Sequence, residues 1–240
     1  MLLLDVGNSR CKWAYVTAGQ WTQQGVVELA HLDALQADFA RIPSPSRILI
    51  SNVAGLDVAT QLRSLCAHWL CVPEFVQAQS IQCGVVNGYA QPQQLGSDRW
   101  LALIAAWHHV HAACLVVNCG TATTLDALSA RGEFMGGLIL PGVQLMRSSL
   151  VGNTSQLVQQ VGVLCDFPRN TADAMHSGVL RATLGAIEHQ YATLAKRHAG
   201  ARCVVSGGAA LQVLSHLSMP VEYVENLVLR GSHILGESKA

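Results

Sequence analysis

The chain has 240 residues, with 15 Lys+Arg balanced by 15 Asp+Glu, 50% hydrophobic residues and 12% charged ones. That composition can bury a sizeable core and excludes a disordered tail. Zero net charge gives no long-range positive field to gather phosphate backbones or anionic lipids, so nucleic acid and membrane are poor candidate partners.

The eight cysteines stand singly, without CxxC or paired metal spacing, and read as reduced, mostly buried thiols of a cytoplasmic protein. The apolar run from Met1 to Leu4 is broken by Asp5 and lacks a basic start, so neither a signal peptide nor an anchor is expected there. Low charge and a mean hydropathy of +0.30 predict apolar surface covered by a partner, hence a homo-oligomer, with a dimer the first expectation.

Leu2 to Val6 reads as a strand, Gly7-Asn8 as a tight turn, and Ser9 to Val16 as a second strand with Cys11, Trp13 and Tyr15 alternating. Ile48 to Ser51 predicts a strand. Val58 to Leu70 predicts a helix with Val58, Leu62, Leu65 and Trp69 on one face, and Arg99 to His111 a further helix after Gly96-Ser97-Asp98. Cys114 to Val117 then meets Asn118-Cys119-Gly120-Thr121, and strand-like residues continue beyond the glycine. The opening unit thus recurs about 113 positions later, which predicts two similar domains, residues 1–113 and 114–240, with a crossover near Ala112 to Cys114. Beyond it lie Gly136-Gly137 through Gly142, a helix from about Ala172 to Arg197, a strand at Cys203 to Val205, Gly207-Gly208 and a short helix around Leu211 to Leu217. Strands alternating with helices place the chain in the α/β class.

Neither a P-loop nor a dinucleotide fingerprint is present. Asp5-x-Gly7-Asn8-Ser9 fits two readings. One is a plain hairpin turn with a solvated Asp5. The other is a phosphate turn in which backbone N–H groups, Arg10 and Lys12 face the anion, and Mg²⁺ or its water shell stands between it and Asp5. Gly96-Ser97-Asp98-Arg99 is equally open. Ser97 or Asp98 could simply cap the helix; alternatively Asp98, kept ionised by the helix dipole, could take a proton from a substrate hydroxyl while Arg99 clamps a carboxylate. His108 and His111, expected on one helical face, lack a clear third ligand for zinc and read as solvated surface. His176 is expected inside a helix, where packing or exposure explains it. Cys119 has no His placed as its base, so a thiol nucleophile is not expected.

Taken in order, Asp5-Val6-Gly7-Asn8-Ser9, Gly96-Ser97-Asp98-Arg99, Asn118 to Asp126, Gly136 to Gly142, Asn170-Thr171 with Ser177-Gly178, and Gly207-Gly208 resemble the type III pantothenate kinases along the whole chain. The resemblance implies two ribonuclease-H-like domains of the acetate and sugar kinase, heat-shock protein 70 and actin type, a nucleotide cleft between them, and a homodimer. It implies ATP-dependent phosphorylation of the terminal hydroxyl of pantothenate to 4'-phosphopantothenate, the first step of coenzyme A biosynthesis. By the same resemblance, Asp5, Val6, Gly7, Asn8, Ser9, Arg10, Cys11 and Lys12 would hold ATP with Mg²⁺ through Asp5, helped by Thr121. Asp98 matches the general base. Tyr89, Gly96, Ser97, Asp98 and Arg99 match pantothenate contacts, with Thr171 reaching across the dimer. One departure stands out: Asn118 replaces the Asp expected to bind the activating K⁺ or NH₄⁺, and an amide without formal charge holds such an ion more weakly. The alternative is a catalytically weak family member serving as a transcriptional accessory protein, a reading that gains no basic patch or DNA-binding motif from this sequence.

Overall fold

The computed structural model describes residues 1–152 and 162–238. Two compact units divide the chain: Met1–His109 joined by Asn226–Ala240, and Val110–Glu225.

The first unit opens with β1 (Leu2–Val6), β2 (Arg10–Thr17) and β3 (Gln20–Glu28), followed by a 3-10 turn and α1 (Leu35–Phe39). There follow β4 (Ile48–Asn52), α2 (Leu56–Cys66), β5 (Glu74–Phe75), the hairpin of β6 (Ile81–Gln82) and β7 (Val85–Asn87), and α3 (Ser97–Val110). Its main sheet runs β3-β2-β1-β4-β5, with β1 antiparallel to β2 and parallel to β4. The apolar run Leu2 to Leu4 at the start of β1 reflects burial on both faces. Leu2, Leu4 and Val6 pack with Trp13, Tyr15, Phe39 and Leu62, whereas Leu3 turns to the other face with Ala14, Val16 and Leu49. Each such fully buried leucine contributes roughly 2 kcal/mol of transfer free energy.

The second unit carries β8 (Cys114–Cys119), β9 (Ala122–Leu128), β10 (Glu133–Pro141), α4 (Val143–Gly152), α5 (Thr171–Arg197), β11 (Arg202–Ser206), α6 (Ala210–Leu214) and β12 (Glu222–Tyr223). Within it the strands run β10-β9-β8-β11-β12, with β8 antiparallel to β9 and parallel to β11. Strand for strand this repeats the order and directions of the first unit, which is what the recurring glycine-turned hairpin predicts.

The chain finally returns to the first unit as α7 (Leu227–Glu237), whose Leu229 joins Leu3, Ala14, Val16 and Leu49. The expectation had placed all of residues 114–240 in the second domain. The helix instead covers the open face of the first sheet, a long-range pairing that leaves no local mark in sequence. Gly231 permits a close crossing with α3, because a Cβ there would run into the Leu101 carbonyl.

Three helix C-termini also differ from expectation, among them α6, which stops at Leu214 rather than Leu217. The face of Val58, Leu62, Leu65 and Trp69 packs as predicted, but α2 stops at Cys66 and Leu70 is fully exposed. Helix α3 ends at Val110, and His111 takes φ 44°, so it leaves the helical face it was expected to share with His108. His176 lies within α5, as expected. All eight cysteines are free thiols, five of them buried. No helix among the described residues is long and apolar enough to cross a membrane.

Candidate active site

The β1–β2 turn is closed by Gly7 N–H donating to the Arg10 carbonyl at 3.0 Å, and the Ser9 carbonyl accepts from Leu29 N–H at 2.9 Å. Asn8, Ser9 and Arg10 are exposed. Strand alternation sends Val6 and Cys11 into the apolar core, where burial first, then the nearby Asp5 and Cys66, push the Cys11 thiol up to about 12. These two residues can therefore offer a ligand only their backbone.

Asp5 and Lys12 are directly opposed across β1 and β2, and Ser51 of β4 sits beside Asp5 on its other side. Directly opposed residues share a sheet face. Asp5 keeps some exposed surface as a residue, yet protein surrounds its carboxyl. Burial, then repulsion from Asp98, raise its pKa to about 7 against the pull of Lys12. The fold therefore holds Asp98, far away in sequence, close enough to Asp5 to act on its charge.

The start of α3 is tied to the same strand ends. Ser51 Oγ and Ser97 Oγ, both buried, are hydrogen-bonded at 2.9 Å. Asp98 Oδ1 accepts from Arg99 N–H at 2.8 Å, and a Cβ on Gly96 would lie only 2.7 Å from that oxygen, so glycine leaves the carboxylate its place. Burial outweighs the backbone N–H bonds and the Arg99 charge, so the pKa of Asp98 is raised above the ordinary carboxylate value rather than lowered as a helix start alone would have it. Arg99 is buried and donates from Nη1 to Tyr89 Oη at 3.1 Å, its guanidinium 5.8 Å from the tyrosine ring centroid. The Tyr89 loop is clamped by Asn87, whose Oδ1 accepts from Tyr89 N–H at 3.0 Å and whose Nδ2 donates to the Pro92 carbonyl at 3.2 Å.

The first unit thus assembles Asp5, Lys12, Ser97, Asp98, Arg99 and Tyr89, which the sequence singled out, with Ser51 and Asn87, which it did not. A short polar residue at a strand end was the only available sign of Ser51. On another side of the turn, a cavity of about 700 Å³ is lined by Asn8, Ser9, Glu28, Leu29, Asp33 and Gln61 among others. Its lining has two carboxylates and no cation, which suits a polyphosphate poorly.

The second unit's turn is built alike but without charge. Gly120 N–H donates to the Ala122 carbonyl at 3.0 Å, and Asn118 lies between Thr124 and Ser206 in the positions that Lys12 and Ser51 hold around Asp5. Thr121 is exposed, and its carbonyl accepts from Gly142 N–H at 2.9 Å. Gly207, at φ 100°, passes so close to the Cys119 carbonyl that no side chain would fit. Burial pushes Cys119 up to about 12, leaving a protonated thiol at neutral pH. Thr171 opens α5 just after Asn170, whose side chain caps the helix by accepting from Asp173 N–H at 2.9 Å.

The family model for type III pantothenate kinase matches residues 1–193. The chain belongs to that family. A type III pantothenate kinase from Aromatoleum aromaticum is 45% identical, with the match covering 100% of this chain and 99% of the relative. Among solved structures, a Campylobacter jejuni protein assigned to the Baf family of transcriptional activators aligns with TM-score 0.63 at 21% identity, over 99% of this chain and 98% of that one. A Sinorhizobium meliloti protein assigned as a 2-dehydro-3-deoxygalactonokinase gives TM-score 0.59 at 13% identity, over 97% and 96%. At those identities the two structures speak for the fold alone, which is the sugar-kinase type expected from sequence. Family membership makes the chain an enzyme: it phosphorylates pantothenate on the route to coenzyme A, with ATP as donor.

Proposed function

We propose that Asp98 is the general base of this kinase. The observation that carries the reading is the half-buried Asp98 carboxyl, raised in pKa by burial, near enough to Asp5 to repel it and hydrogen-bonded to the backbone N–H of Arg99, whose guanidinium is held by Tyr89. A raised pKa makes the ionised form a stronger base nearer neutral pH. Asp98 takes the proton of the terminal hydroxyl as its oxygen bonds to the γ-phosphorus of ATP. The bond from that phosphorus to the bridging oxygen breaks, and its electron pair leaves with ADP. Arg99, held by Tyr89, binds the pantothenate carboxylate as a fork, with Gly96 and Ser97 lining the same site, so the reacting end is fixed from the far end.

The segment Asp5 to Lys12 holds the ATP phosphates through turn N–H groups, Arg10 and Lys12, with Thr121 as a further nucleotide contact. The Asp5 carboxyl, an oxygen donor at the head of the turn and opposed by Lys12, suits a hard divalent cation. Asp5, through water, would hold Mg²⁺, which supplies charge neutralisation on the triphosphate. Asn118 would offer a monovalent cation only an amide oxygen. The enzyme works in the cytoplasm as a homodimer, with Thr171 contacting substrate across the interface; exposed Ile139 and Phe167, at 63% and 90%, support a covered apolar surface.

The test is ADP release with ATP and Mg²⁺ over a panel of small alcohols. Release that requires pantothenate supports the reading. Release with another alcohol alone reassigns the substrate, and no release with any acceptor favours the regulatory alternative.

A further inference from the structure

Lys12 and Asn226 are 214 positions apart, yet Lys12 Nζ donates to Asn226 Oδ1 at 3.1 Å. Asn226 is the residue at which the chain re-enters the first unit, immediately before α7. Asn at a helix start ordinarily adopts an extended backbone and turns its side-chain oxygen onto the N–H groups of the first turn. Asn226 does neither. Its backbone is left-handed, φ 52° and ψ 44°, and its side chain makes no capping bond, although its carbonyl still accepts from Arg230 N–H at 3.0 Å. Two local preferences are thus set aside, and the side-chain oxygen is aimed at an ammonium group instead. Observed departures of this kind point from geometry to function.

The fold explains how the two meet. Lys12 shares a sheet face with Ala14 and Val16, and α7 packs on that face through Leu229, so the start of α7 comes over the lysine. The chemistry of the partner matters as well. An ammonium has three donors and no acceptor, and an amide oxygen takes one of them without neutralising the charge. A carboxylate there would hold Lys12 equally well but would compete with phosphate for its charge. The remaining donors stay free for Asp5 and an incoming anion.

We infer that Asn226 is a positioning residue that holds the Lys12 ammonium in place to receive the ATP phosphates. The inference rests on the proposed role of Lys12 in binding ATP. The test uses Asn226→Gly in the full-length protein, since glycine accepts the left-handed backbone and removes only the side chain. The affinity for Mg·ATP, measured by titration calorimetry, should weaken about tenfold, as for loss of a bond to a charged group, while the affinity for adenosine is unchanged. The KM for ATP should rise in parallel, with KM for pantothenate and Tm unmoved or Tm slightly raised; a merely loosened α7 would lower Tm and disturb both KM values. In a Lys12→Met background, Asn226→Gly should add no further loss of ATP affinity. Wild-type ATP affinity in Asn226→Gly, or a full additional loss in the double variant, overturns the inference while leaving the kinase reading intact. A wild-type protein that neither binds Mg·ATP nor phosphorylates pantothenate overturns both.

Discussion

The two units share strand order and strand direction but differ at one position that matters. In the first, the residue heading the glycine turn is Asp5, opposed by Lys12 and next to Asp98. In the second it is Asn118, set between Thr124 and Ser206, with no charged side chain at either flanking position. One scaffold, used twice, therefore supplies a charged turn and a neutral one. Strand pairing fixes where each turn stands, and the residues chosen at its head decide whether it can organise ions and protons.

The strongest way to break that comparison is at the acid on α3. Replacing Asp98 by Asn should leave ATP binding intact and cut turnover by about 10² to 10⁴, the usual worth of a general base. An Asp98→Asn enzyme at full speed would remove Asp98 from its role. Converting the first turn to the chemistry of the second, Asp5→Asn, should lower kcat/KM for ATP by about 10²-fold through loss of preorganised electrostatics around the triphosphate. Steady-state kinetics with ATP varied reads this directly, and unchanged kinetics would mean that the charge difference between the turns is incidental.

The reverse conversion, Asn118→Asp, should sharpen the contrast. The wild-type enzyme is expected to show weak K⁺ or NH₄⁺ activation, shifted to high concentration or absent, and the variant should reach half-activation at roughly tenfold lower salt. Steep K⁺ activation of the wild type at low millimolar concentration would contradict this.

A smaller effect concerns stability. Asp5 binds its proton more tightly folded than unfolded, since its pKa rises from the ordinary carboxylate value to about 7. The folded state is therefore favoured most below the unfolded value, and stability declines as pH climbs from about 4 to about 7. Between pH 5.5 and pH 8, with no nucleotide or metal, Tm attributable to this group should fall by about 5 °C, and Asp5→Asn should abolish that slope. A Tm difference identical in wild type and variant would show that Asp5 is not the group responsible.

What the sequence made legible was local. An apolar run ending in one polar residue shortly before a glycine marks β1 and β8, because two-sided burial and a tight turn each have a residue signature. The helix carrying Asp98 was visible for the same reason. The return of α7 was not, since covering a sheet face needs only ordinary apolar residues such as Leu229, and nothing near residue 229 names its partners. The raised pKa of Asp98 left no mark in the sequence, because helix position is local whereas burial depends on the whole fold. The Lys12–Asn226 bond was invisible for its separation alone, and Ser51 because a lone serine at a strand end has many commoner explanations.

The central claim is that this charged turn and its neighbouring acid move a phosphoryl group from ATP to the terminal hydroxyl of pantothenate. Phosphorus NMR of a reaction containing ATP, Mg²⁺ and pantothenate tests it most directly. A new phosphomonoester resonance coupled to the terminal methylene, growing in step with ADP, is the predicted result; inorganic phosphate accumulating alone, or an unchanged ATP spectrum, would contradict it.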